Sequence, residues 1–119
     1  VNASWADGCG GNPASDLIYP HHCQCSERVP CSMMQEQWKA LEEAYSTGQS
    51  RAIGVSNFCS SCLQCIHDIA RVRPHVNMFR LHVGMSTDPA GLVHATSAAG
   101  ALVQAYQPLA HGDHKLFTE

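Results

Sequence analysis

Apolar positions along the chain follow two different periods, and the change from one to the other marks out its elements. Met34, Trp38, Leu41 and Tyr45 recur at i, i+4, i+7 and i+11, the spacing of one helical face, while Gln, Glu and Lys fill the opposite side. Ser32-Met33-Met34-Gln35 fits a capping box at the start of this helix, and Gly48 supplies a C-terminal stop. Met34, Trp38 and Tyr45 are read as core residues. Arg51 to Ser56 then reads as a strand. Ser60 or Ser61 opens a second helix whose Leu63, Ile66 and Ala70 share a face until Pro74 ends it.

The alternation repeats downstream. His75 to Leu81 reads as a strand, Pro89 to Ala99 as a helix opened by Asp88, and Ala101 to Tyr106 as another strand. Upstream, residues 1–15 are rich in Gly, Asn, Ser and Ala without period and read as an irregular arm. Asp16 to Tyr19 reads as a short buried strand with Pro20-His21-His22 at its C-terminal end, and Cys23 to Cys31 as a loop.

Strand and helix in strict alternation imply βαβ crossovers and parallel strands, because a parallel neighbour needs a long return connection. The expected fold is α/β: a partial, half TIM barrel of about four parallel strands with three crossover helices, a full barrel taking about 250 residues. The expected division is an arm over 1–15, the partial barrel over 16–110 and a tail over 111–119. Half a barrel leaves two edge strands and one sheet face open, and predicts other protein subunits that cover them.

Composition narrows the function classes. The 119 residues are 45% hydrophobic and only 14% charged, a charge-poor surface that fits burial against a partner. A formal charge of −3 with scattered Lys and Arg argues against a nucleic-acid ligand. Apolar stretches such as Ala98 to Val103 fall far short of the roughly 20 residues that cross a bilayer, so no transmembrane segment is expected. The opening Val-Asn-Ala-Ser-Trp lacks the features of a signal peptide, and seven cysteines is an odd number. A reducing intracellular compartment is the expected location, cytosol or organelle interior.

Specific motifs add a resemblance. Trp38-Lys39-Ala40-Leu41-Glu42-Glu43, then Gly48, then Arg51-Ala52-Ile53-Gly54-Val55-Ser56-Asn57-Phe58 strongly resembles the aldo-keto reductase family. Asp16 to His21 resembles that family's fourth barrel strand, Val76 to His82 its sixth, and Gln104 to Leu109 its seventh. The resemblance implies a TIM barrel and NADPH-dependent reduction of aldehydes and ketones. It also implies a catalytic tetrad of Asp, Tyr, Lys and His, of which only His21 lies in the matching segment.

On the cofactor side, the resemblance assigns Ser56 and Asn57 to the nicotinamide carboxamide and Tyr106 to stacking on the nicotinamide ring. Met78 stands where the family has a Gln, and a thioether is at best a weak acceptor that cannot donate. Arg80 replaces the usual Glu, and Gln107 and His111 stand where small polar residues are expected. NADPH is the implied cofactor, bound weakly or not at all by this chain alone.

Blander readings compete at each position. His21 reads as a relic at a strand end, Ser56 and Asn57 as residues that simply turn the chain, and Tyr106 as a packed aromatic. Cys59-x-x-Cys62-x-x-Cys65 has the spacing of some metal-ligand runs, with Cys9, Cys23, Cys25 or Cys31 as a fourth thiolate. On a helix, residues three apart drift by only about 60°, so Cys62 and Cys65 also fit a core-facing stripe, and no metal site is expected. His21 and His22 beside Cys23 and Cys25 raise the same metal question and take the same answer.

The functional expectation is an aldo-keto-reductase-like chain, non-catalytic by itself, serving as a structural or accessory subunit of a larger assembly. The alternative is the ordered part of an NADPH-dependent aldehyde or ketone oxidoreductase. A third reading, ranked lowest, is a half-chain that completes a barrel with a second polypeptide.

Overall fold

A computed structural model describes residues 30–88 and 91–112. The expected arm, the strand Asp16–Tyr19, the loop from Cys23 and most of the tail lie outside the described residues. Within them run helix α1 (Cys31–Ser46), strand β1 (Gly54–Ser56), helix α2 (Ser60–His67), strand β2 (Val76–Arg80), helix α3 (Leu92–Ala98), strand β3 (Leu102–Tyr106) and a 3-10 turn at Ala110–Gly112. The three strands form one parallel sheet in the order β1-β2-β3. Among the described residues this is the α/β alternation expected, with three parallel strands; the expected fourth, Asp16–Tyr19, lies outside them.

β2 shows how the sheet divides its faces. Asn77 and Phe79 are fully buried, whereas Val76, Met78 and Arg80 between them are half-buried. Period two therefore sends Asn77 and Phe79 toward the helices and the other three to the opposite face. The register extends that opposite face: Gly54 and Ser56 lie beside Val76 and Met78, and Leu102, Gln104 and Tyr106 lie beside Val76, Met78 and Arg80. Leu102 is 75% exposed on it, so among the described residues this face lies largely open.

The core lies between sheet and helices. Met34 and Trp38 of α1 meet Cys62, Cys65 and Ile66 of α2, with Phe79 beneath and Leu92 of α3 beside them. Trp38 donates its indole N–H to the Val72 carbonyl at 3.2 Å, and one Glu42 oxygen accepts the backbone N–H groups of Arg71 and Val72 at 2.7 and 2.8 Å. α1 is thereby tied along its length to α2 and to the segment after it.

Several local expectations are corrected. The capping box does not form: α1 begins at Cys31 after Pro30 without a side-chain cap, and Gln35 instead donates Nε2 to the Cys65 carbonyl at 2.9 Å. Tertiary packing takes the side chain that a lone helix would turn back on its own end. Leu41, on the expected core face, is 39% exposed, and Tyr45 is half-buried with its ring 5.3 Å from that of His75. α2 ends at His67, well before Pro74. Gly48 does stop α1, at φ 76°; α3 begins at Leu92 with Gly91 as its N-cap rather than at Pro89, and Asp88, ahead of that cap, accepts from the N–H groups of Val93 and His94 at 2.7 and 3.3 Å.

Candidate functional site

Parallel βα units present the C-terminal ends of their strands as one edge, where the following loops converge. β1 ends at Ser56, and Asn57 turns the chain away in the left-handed region at φ 58°. Asn tolerates that conformation better than any side chain except glycine's absence of one. β3 ends at Tyr106, and Gln107 turns the chain in the same way at φ 52°. Two of the three strands thus leave the sheet through a left-handed residue on the same edge.

Hydrogen bonds fix the first of these turns. Asn57 donates its backbone N–H to the Met78 carbonyl at 2.8 Å, which carries β1–β2 pairing one residue past the strand. Its side-chain Nδ2 donates to Ser56 Oγ at 3.2 Å. The other amide atom, Oδ1, is shielded from solvent and has no hydrogen-bond partner among the described residues. A shielded carbonyl oxygen without a donor is uncommon.

Ser56, Met78 and Gln104 align across the sheet, and Tyr106 lies two residues further along β3 on the same face. With β2 between them, the ends of β1 and β3 are about 10 Å apart, the span of a planar ring with one substituent. The edge therefore offers a hydroxyl, an amide and a phenol around Met78. His21 lies outside the described residues, so the structure brings together Ser56, Asn57 and Tyr106 and leaves His21 unplaced.

The sequence reading missed Asn77, which holds this edge from beneath. It is fully buried, and it accepts from the Phe58 N–H and donates to the Phe58 carbonyl and to Thr96 Oγ1. An Asn at a helix-facing position of a strand was the available signal. Cys62 and Cys65 do face the core, but as half-cystines: Cys65 is bridged to Cys31, and Cys59 and Cys62 are disulfide-bonded as well, which the sequence reading did not contain. Among the described residues, no group of three or more His, Cys, Asp or Glu is placed to hold a metal ion, and no helix is long and apolar enough to cross a membrane.

Comparisons with known proteins converge on one family. Residues 11–115 match the model of the aldo/keto reductase family. The chain is 33% identical over 99 residues to the NADPH-dependent alpha-keto amide reductase of Saccharomyces cerevisiae, covering 83% of this chain and 32% of that protein. It is 32% identical over 104 residues to aldo-keto reductase family 1 member A1 of Sus scrofa, covering 87% and 30%. Among solved structures it resembles an aldo-keto reductase from a Medee basin deep-sea metagenome library, with a TM-score of 0.65 and 28% identity over 72% of this chain and 31% of that one. A Bombyx mori aldo-keto reductase in complex with NADP gives a TM-score of 0.55 at 29% identity, over 61% and 23%. The chain spans about a third of the length of the curated relatives it matches.

Proposed function

The chain belongs to the aldo/keto reductase family, and from that membership we propose that it forms the nicotinamide-facing part of an NADPH-dependent oxidoreductase acting on aldehydes or ketones. The observation that carries the reading is Asn57: its turn is held by Met78, its Nδ2 by Ser56, and its Oδ1 has no partner among the described residues. An amide N–H of the nicotinamide carboxamide would supply one. The Bombyx mori relative in complex with NADP supports the same ligand class.

NADPH, when bound, supplies the hydride. The residues of this chain bind and orient it: Ser56 and Asn57 take the carboxamide, and Tyr106 offers its ring face to the nicotinamide two residues beyond Gln104. Met78 lies between them and contributes packing without the two-way hydrogen bonding of an amide. The proton donor for the developing alkoxide is not among these residues. These residues therefore bind and orient the cofactor, and the proton donor of the catalyst is supplied from outside them.

A second reading is favoured by Met78 and Arg80 on the open face and by the 75% exposure of Leu102 there. On it, the chain is an accessory piece, and other protein subunits cover the face that a cofactor would otherwise share. NADPH consumption by the purified protein with a panel of aldehydes and ketones separates the two. Consumption that falls in a Tyr106→Ala variant supports the oxidoreductase. No consumption, together with no NADPH binding, supports the accessory piece.

A further inference from the structure

Cys31 opens α1 and Cys65 lies in α2, 34 residues later, and a disulfide joins them with Cα atoms 5.8 Å apart. Its two ends differ in access. Cys31 is exposed at the first residue of the helix, whereas Cys65 is 7% exposed within the core cluster. The bridge sits at one end of the α1–α2 contact, and α1 is also held by hydrogen bonds: Gln35 to the Cys65 carbonyl and, on the segment after α2, Trp38 to the Val72 carbonyl and Glu42 to the N–H groups of Arg71 and Val72. Opening the bridge would release one turn of α1 and leave the helix docked.

We propose that Cys31–Cys65 is a thiol–disulfide exchange site, opened and closed by a dithiol partner acting at Cys31. A thiolate of the dithiol attacks Cys31 Sγ, the Cys31–Cys65 bond breaks, and its electron pair leaves on Cys65 Sγ, which takes up a proton. The second thiol of the partner then displaces Cys31, so the protein gains two thiols and the partner becomes a disulfide. The Cys31 carbonyl lies 3.3 Å from Cys65 Sγ and accepts a hydrogen bond from the thiol formed there. Closure is the reverse exchange with the partner's disulfide form. This inference is independent of the cofactor reading, since none of its residues touches that edge.

The test is peptide mapping of the full chain, with fragmentation assigning the linkage to Cys65 rather than to Cys59 or Cys62. The proposal expects a Cys31–Cys65 cross-link without reductant. It expects iodoacetamide labelling of both residues after dithiothreitol in native buffer, and return of the cross-link on adding oxidised dithiothreitol. It also expects a Cys65→Ser variant to form a mixed disulfide at Cys31 with oxidised glutathione. A cross-link that opens only in guanidinium overturns the proposal, because the bridge is then a fixed staple; so does the absence of any Cys31–Cys65 cross-link.

Discussion

Asn77 and Phe58 are joined twice: Asn77 Nδ2 donates to the Phe58 carbonyl at 2.8 Å, and the Phe58 N–H donates to Asn77 Oδ1 at 3.3 Å. The same Nδ2 reaches Thr96 Oγ1 of α3 at 3.0 Å. One fully buried amide therefore ties β2, the turn after Asn57 and a helix into a single polar unit. A small buried network of this kind specifies geometry only while all its members are satisfied.

Replacing Asn77 by Leu keeps the volume and leaves the Phe58 backbone groups and the Thr96 hydroxyl without partners. The expected cost is about 2–4 kcal/mol of stability, read from denaturant midpoints at constant slope. NADPH affinity should fall with it, since the Asn57 turn loses its support. A variant within about 0.5 kcal/mol of wild type would show that the turn is held by other contacts.

Gly54 is required by closeness rather than by conformation. A Cβ there would lie 2.6 Å from the Val76 carbonyl oxygen and would also collide with Val76 Cγ1. Gly54→Ala should destabilise the β1–β2 pair by about 1–3 kcal/mol, the usual range for overpacking. Adding Val76→Ala removes the side-chain collision and not the backbone one, so the double variant should recover only part of the loss. Full recovery, read in the same unfolding experiment, would place the conflict entirely in the side chain.

Trp38 and Leu41 separate what periodicity shows from what packing decides. Both lie on the expected apolar face of α1, yet Trp38 is 1% exposed and Leu41 39%. Trp38→Ala should cost about 3–5 kcal/mol and Leu41→Ala about 0.5 kcal/mol or less. Comparable losses at the two positions would contradict the packing described.

The elements that read well in the sequence are those in which one local rule acted alone. The stripe from Met34 to Trp38, the stop at Gly48 and the strand before Tyr106 each follow from period or capping chemistry, and each is present. Where two demands met on one residue, the sequence could not rank them. Gln35 suits a capping box and a tertiary acceptor equally, and only the Cys65 carbonyl takes it. Ser56, Asn57 and Tyr106 were readable as a set only through the family resemblance. That they share one strand edge depends on the parallel register, which residue types do not encode. Asn77 looked like a strand residue because its value lies in partners on α3 and on the turn, 19 residues away in both directions.

The central claim is that the edge around Asn57 holds a nicotinamide, and titration of the purified protein with NADPH tests it most directly. Tyr106→Ala should weaken binding by about 3–10-fold through lost stacking, and Asn57→Ala by a similar factor. Met78→Gln, which restores an amide that can both donate and accept, should tighten it by about 2–10-fold. Binding that is absent at millimolar NADPH, or unchanged by all three substitutions, would contradict the claim.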